Sequence, residues 1–331
     1  MSVEKKSEIS KDELNKSLDI INKIQKYCDE KIVGQEKLKK SLLVSVIANG
    51  HILLESVPGL AKTTAAKTLT EAVSGKFSRI QCTPDLLPSD IIGTQIFNYK
   101  TNEFETKIGP IYSNFILLDE INRASSKTQS AMLEAMQEHG VSIGGKLYKM
   151  PEPFIVIATQ NPIEQEGTYL LPEAQLDRFL LKEKLEYPNI QEEMQIINKI
   201  EKEVFNNSSS VVSIKDILFL QDISKKVYID ESIKRYIVNI IYASRHPFKL
   251  ISKELAQLVV LGSSPRGTIS LMQVSKAVAL INGRDYVVPE DVRELVHSVL
   301  RHRISLSYSA IVDNITSDDI IDAIIGGLNT P

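Results

Sequence analysis

At 331 residues, with 43% hydrophobic and 24% charged positions, the chain has the composition of a globular protein long enough for two domains, which excludes disordered and fibrous classes. Its 39 basic and 42 acidic side chains leave a formal charge of −3, so it carries no overall basic footprint of the kind nucleic-acid binders show. Two distant cysteines, Cys28 and Cys82, and five scattered histidines give neither a disulfide framework nor a zinc-ligand spacing. The polar N-terminal stretch MSVEKKSEISKDELNK has no apolar core of signal-peptide type, and no run reaches the length of a membrane span. A cytoplasmic location is the expectation.

Leu14, Leu18, Ile21 and Ile24 recur at helical spacing and predict an amphipathic helix over residues 13–27. It leads through Ile32-Val33-Gly34-Gln35-Glu36 into a second helix ending near Asn49. The stretch HILLESVPGLAKTT, from His51 to Thr64, then reads as a buried strand, a loop and a helix that runs to about Val73. Set against the phosphate-binding pattern G-x-x-x-x-G-K-[ST], it keeps Lys62 and Thr63 but has Ser56 and Ala61 at the two glycine positions. The chemistry survives that departure. Backbone N–H groups around Gly59 to Thr63 can face phosphate oxygens, aided by the positive end of the following helix. Lys62 would reach the β- and γ-phosphates and the Thr63 hydroxyl a magnesium ion.

Residues 77–82 predict a strand, a Pro- and Asp-punctuated loop follows over 83–90, and a hairpin is expected near 97–104, turning at Thr101-Asn102. Phe115-Ile116-Leu117-Leu118 is an apolar run that ends in Asp119-Glu120. Ligands of parallel sheets bind at that end of a strand, so Asp119 is a candidate metal carboxylate and Glu120 a candidate base for the attacking water. After a helix over 127–139, Val141 to Tyr148 alternates around Gly144-Gly145 as a hairpin does. A further apolar strand, 154–158, ends in Thr159-Gln160-Asn161-Pro162, where Asn161 can hold a water or contact the γ-phosphate, or else form a turn. Arg178 in LPEAQLDRF and Arg266 in SPRGT are planar cations of the type that stabilises phosphoryl charge, though either can also serve a local ion pair or helix cap. Beyond Tyr187-Pro188-Asn189 strand signals nearly vanish. Helices are predicted over 190–204, 214–226, 231–245, 253–261, 269–282 and 289–301. Apolar strands alternating with helices, followed by helices alone, predict an αβα core with a mainly parallel sheet and a second, all-α domain.

The ordered set IVGQE, HILLESVPGLAKT, IQCTPDLLPSDIIG, FILLDEINRA, ATQNPIEQEGTYLLPEAQLDRF and SPRGT resembles the AAA+ ATPases, and within them the MoxR family, over most of residues 32–179. The resemblance implies a P-loop core with a five-stranded sheet over residues 31–188, an all-α lid over 189–331, and an N-terminal helix and tail over 1–30. It implies ATP and Mg2+ as ligands. Nucleotide contacts fall to Val33, Gly34 and Gln35 near the adenine and to Pro58, Gly59, Leu60, Ala61, Lys62, Thr63 and Thr64. Thr63 and Asp119 would serve the metal, Glu120 the attacking water, and Asn161 would be sensor 1. Arg178 would be an arginine finger acting across a subunit boundary and Arg266 sensor 2. The active form would then be a ring homo-oligomer, a hexamer, that remodels or matures a partner protein, with metal-cofactor insertion as one form of that work. Partners of this family commonly carry a von Willebrand factor A domain. The insert over residues 84–107 and the hairpin at 141–148 would lie near the central pore or on the ring face, and Arg123 is a weaker candidate for facing a neighbouring subunit.

Two other functions compete. A nucleic-acid motor of the MCM type shares both hairpins, but Lys100, Lys107, Lys146 and Lys149 stand beside Asp90, Glu103 and Glu105, so the hairpins are not convincingly basic. A slow nucleotide-gated switch follows if Ser56 impairs the loop. Were that position to require positive φ, serine there would cost on the order of 1 kcal/mol, and the expectation is weakened but real ATP binding.

Overall fold

The strands predicted as apolar runs form the centre of a sheet, and their position explains why they do not alternate. The computed structural model describes residues 8–56, 62–162, 168–201 and 210–331. Helices α1 (Lys11–Lys31) and α2 (Glu36–Ile47) precede β1 (Ile52–Glu55), α3 (Lys62–Ala72) and β2 (Phe77–Gln81). A short α4 (Pro88–Ile92) and the strands β3 (Gly93–Asn98) and β4 (Glu103–Ile108) lead to β5 (Phe115–Asp119). Helix α5 (Ser126–Glu138), strands β6 (Gly140–Ile143), β7 (Lys146–Lys149) and β8 (Ile155–Gln160), the turn α6 (Glu173–Leu176) and β9 (Leu181–Lys184) follow. The order in the five-stranded sheet is β2-β5-β8-β1-β9, with the β2–β5, β5–β8 and β8–β1 pairs all parallel. Every residue of β5 is buried, whereas the edge strand β2 buries only Ile80 fully. A strand covered on both faces needs apolar side chains at successive positions; an edge strand does not.

The insert exceeds its prediction. Pro88 at the first position and Asp90 capping the Leu87 N–H make α4 out of part of the expected loop. The β3–β4 hairpin pairs from Gly93 with Ile108 to Asn98 with Glu103, and Asn102 takes the left-handed conformation at its turn (φ 58°). Tyr148 of the second hairpin donates to Thr106 Oγ1 of the first (3.2 Å).

His51, directly before β1, is buried. Its Nδ1 accepts the Val156 N–H at 3.1 Å, and its Nε2 donates to the Met136 carbonyl at 3.2 Å. Burial pushes its pKa down to about 4, so the ring is neutral and ties β8 to the end of α5. Met132, Leu133 and Met136 of α5 share a hydrophobic cluster with Ile116, Leu118 and Val156.

Two compact units are present. One comprises Asn22–Phe179 and Glu183–Leu218 and holds nearly all of the sheet; the other comprises the segment ending at Ile21, Leu180–Lys182 and Phe219–Pro331. The remaining elements are α7 (Ile190–Glu201), α8 (Ile214–Lys226), α9 (Glu231–Arg245), α10 (Lys253–Ala256), β10 (Val259–Leu261), α11 (Pro265–Ile281), α12 (Pro289–Glu294), α13 (Val296–Leu300), β11 (Ser305–Leu306), α14 (Tyr308–Val312) and α15 (Ser317–Gly327). The helix expected over 253–261 stops at Ala256, because the apolar residues Val259 to Leu261 pair antiparallel with β11. The helix expected over 289–301 breaks at Leu295 (φ −119°, ψ 19°). Within this unit Arg284 makes a two-pronged ion pair with Asp291, which is 1% exposed, at 2.6 and 2.9 Å.

Candidate active site

Because β1, β8 and β5 are adjacent and parallel, their C-terminal ends share one edge of the sheet. Glu55, Gln160 and Asp119 end those strands, with the Gln160 amide donating to the Glu55 carboxylate at 2.9 Å. Ser56 continues the ladder by one residue, donating its N–H to the Gln160 carbonyl (3.2 Å). Asn161, 3% exposed, therefore emerges beside the start of the phosphate loop. Its carbonyl accepts from the Asn122 amide at 3.3 Å.

Lys62, Thr63 and Thr64 form the first turn of α3, where helix N–H groups are unsatisfied and anions are favoured. Lys62 Nζ donates to the Ser56 carbonyl at 3.2 Å, so the ammonium sits at the residue that follows β1. Pro58, Gly59, Leu60 and Ala61 lie outside the described residues. Ser56 is buried and is not among the non-glycine residues with positive φ. The backbone strain that would have weakened the loop is therefore absent at Ser56.

Asp119 is 7% exposed and doubly held. Thr159 Oγ donates to its Oδ1 at 2.8 Å, and Arg79 of β2 donates to its Oδ2 at 2.6 Å. The same Thr159 hydroxyl accepts the Glu120 N–H at 2.9 Å. That bond steadies an unusual backbone, since Glu120 sits in the left-handed region (φ 56°, ψ 53°), where a residue with a Cβ is strained. The turn swings the Glu120 carboxylate back to accept from the Gln81 amide at 3.0 Å and to pair with Arg123 at 3.3 Å. Cys82 continues from β2 beside this pair. Burial first, and then the charges of Asp119 and Glu120, push its thiol up to about 12, which keeps it protonated and inert as a nucleophile.

Ahead of α2, Gly34 and Gln35 both have positive φ (61° and 53°). A Cβ at Gly34 would lie 2.1 Å from Glu192 Oε1 of α7, and Gln35 Nε2 donates to the Glu186 carbonyl at 2.9 Å. Val33 beside them is buried. Arg178 is elsewhere on the same unit. Its Nη1 donates to the Leu133 carbonyl at 2.8 Å, its buried Nε has no hydrogen-bond partner among the described residues, and it lines a cavity of about 280 Å3 with Ser130, Glu134, Gln137, Glu138 and Gln175. None of those residues belongs to the strand-end cluster. Arg266 belongs to the helical unit, exposed in the first turn of α11, where Ser264 caps its N–H at 3.1 Å.

The profile of the family described as "ATPase family associated with various cellular activities (AAA)" matches residues 51–181, and that of the AAA lid domain matches residues 253–324. Chaperone MoxR1 of Mycobacterium tuberculosis is 46% identical over 300 residues, which cover 91% of this chain and 79% of the relative. The chain belongs to the MoxR family of AAA+ ATPases. Protein MoxR of Paracoccus denitrificans is 29% identical, with 83% of this chain and 86% of the relative covered. A crystal structure of a candidate ATPase from Cytophaga hutchinsonii superposes with a TM-score of 0.87 at 44% identity, covering 96% of this chain and 97% of that one. Membership of the MoxR family makes ATP hydrolysis the general chemistry and the αβα core with its helical lid the fold.

The donor set fits magnesium triphosphate. Thr63 and Asp119 offer hard oxygen donors, and Lys62 with the α3 N-terminus offers positive charge. The acids are also held by Thr159, Arg79 and Gln81, to which the motifs give no role. Thr159 left a readable signal, a hydroxyl at the end of an otherwise apolar strand. Arg79 leaves none, and Gln81, although inside the stretch IQCTPDLLPSDIIG, looks as Arg79 does like a solvent-facing residue of an edge strand.

Proposed function

We propose that this chain binds ATP with magnesium at the shared ends of β1, β5 and β8 and hydrolyses it in a ring to remodel a partner protein. Lys62 and the first turn of α3 bind the phosphates, and Val33, Gly34 and Gln35 flank the adenine, while Thr63 and Asp119 hold the metal. Bound there, the metal supplies charge neutralisation across the phosphate oxygens. Glu120 accepts a hydrogen bond from the attacking water and orients it toward the γ-phosphorus, with Asn161 as a neutral second contact. Arg178 and Arg266 stabilise charge on the transferring phosphoryl group, Arg178 from a neighbouring copy. The observation that carries the reading is the pairing of a lysine and threonine on a helix N-terminus with two adjacent carboxylates at one edge of a parallel sheet. The position of Arg178 among α5 residues, away from that edge, supports its action on another subunit. A hexameric ring, a client bearing a von Willebrand factor A domain and metal-cofactor maturation follow the MoxR pattern. The protein works in the cytoplasm.

Steady-state ATP turnover over a range of protein concentrations tests this. Glu120→Gln is expected to bind ATP but lose about 100-fold or more of turnover. Arg178→Ala and Lys62→Ala are each expected to be inactive and to regain activity when mixed, because one supplies the site and the other the finger. Wild-type turnover by Glu120→Gln would sink the hydrolytic assignment. Specific activity independent of concentration, with no complementation, would sink the ring.

A further inference from the structure

The metal-facing carboxylate already has a cation. Strand β2 alternates, so Arg79 and Gln81 share one face with Ile80 turned inward between them, and the parallel register sets Gln81 opposite Asp119. Arg79 Nη2 donates to Asp119 Oδ2 at 2.6 Å and to Gln81 Oε1 at 3.3 Å. The guanidinium is thus aimed by a second acceptor on its own strand. Thr159 takes the other oxygen, Oδ1, at 2.8 Å. Asp119 is almost entirely buried, while the Arg79 side chain is 51% exposed. A buried carboxylate without a partner is strongly disfavoured, and a half-exposed arginine can swing into water at little cost.

We infer that Arg79 is a displaceable counter-ion for Asp119: it neutralises the carboxylate before loading and must leave Oδ2 when a divalent cation is bound, which sets the magnesium concentration the site requires. This rests on the reading of Asp119 as the metal carboxylate. Two cations cannot share Oδ2 without repulsion, so each weakens the other. By linkage, whatever affinity the arginine takes from the metal is regained when the arginine is removed. Arg79 acts through Asp119 and is a positioning residue. Its removal should move metal binding in the direction opposite to structural damage.

The test uses the full chain and a fluorescent ADP analogue, with affinity measured in EDTA and then across a MgCl2 series. Arg79→Gln is expected to lower the magnesium concentration for half-maximal effect about five-fold or more, with the affinity in EDTA changed by no more than about two-fold, in line with typical site-to-site coupling. Its melting temperature should fall in EDTA and recover on adding MgCl2, as the metal takes over the carboxylate. Arg79→Lys retains a cation and should keep the wild-type magnesium dependence. An unchanged or higher magnesium requirement in Arg79→Gln, in a chain whose circular dichroism matches wild type, would overturn the inference. Asp119→Asn separates the two readings. If it leaves the magnesium dependence of the wild type intact, Asp119 is not the metal carboxylate and the proposed function fails at that residue. If it abolishes that dependence while Arg79→Gln does nothing, only the counter-ion role fails.

Discussion

Replacing His51 with phenylalanine tests whether a neutral, buried imidazole joins α5 to the central sheet. The ring accepts from the Val156 N–H and donates to the Met136 carbonyl, and burial holds its pKa near 4 against an ordinary 6.5. Between those two values the unfolded chain binds a proton that the folded chain refuses. The folded pKa lies below the unfolded one, so stability is full above about pH 6.5 and drains away as the pH falls toward 4. At about 1.4 kcal/mol for each pH unit, the gap corresponds to about 3 kcal/mol, of which roughly 2.5 is lost by pH 4.5. Phenylalanine keeps the ring packing against Phe154 but strands the two backbone groups, at a cost of about 1–3 kcal/mol each, and carries no proton to refuse. The wild type should therefore be more stable than His51→Phe at pH 7.5, and that advantage should shrink by about 2.5 kcal/mol at pH 4.5. Urea unfolding followed by far-ultraviolet circular dichroism reads this directly, since the chain has no tryptophan. Carboxylates titrate in both proteins and cancel in the difference. Parallel pH profiles for the two proteins would refute the reasoning.

Three further outcomes follow from the site. Thr159→Val removes one hydroxyl that serves both Asp119 and the strained Glu120 backbone, so it should lower stability by about 2–4 kcal/mol and depress ATP turnover more than nucleotide binding, as urea titration and kinetics would show. Ser56→Gly should leave ATP affinity within about two-fold, because serine there has no positive φ to relieve; a large gain by fluorescence titration would mean the loop is strained after all. Gly34→Ala places a Cβ against Glu192 at a backbone of φ 61°, and should cost about 1–2 kcal/mol in thermal unfolding and weaken binding of a fluorescent ATP analogue.

The sheet was legible where burial made it so. Runs such as Phe115–Leu118 and Ile155–Ala158 have no polar residue to place in water, and their lengths and breakers identify them as central strands. Leu181–Lys184, the fifth strand, carries no readable pattern, because Leu181 is its one apolar residue and its second buried position, between Lys182 and Lys184, is Glu183. Val259–Leu261 reads as the end of a helix because three apolar residues after a helical stretch carry no period of their own. They become a strand through pairing with Ser305–Leu306, more than forty positions away.

The sequence alone determined the class of chemistry: Lys62 and Thr63 before a helix, Asp119 and Glu120 after an apolar strand, and Asn161, Arg178 and Arg266 in the order of an AAA+ ATPase. That order is local, since each motif but that of Arg178 sits at a strand end or helix start, and Arg178 lies just past the short turn α6. Only the tertiary structure decided how the acids are held. Arg79 and Gln81 reach Asp119 and Glu120 because β2 pairs with β5 in one particular register, and Thr159 bridges both because β8 lies on the other side. Side chains about forty positions apart in the chain become hydrogen-bonded neighbours through sheet order, and no single stretch of sequence carries that information.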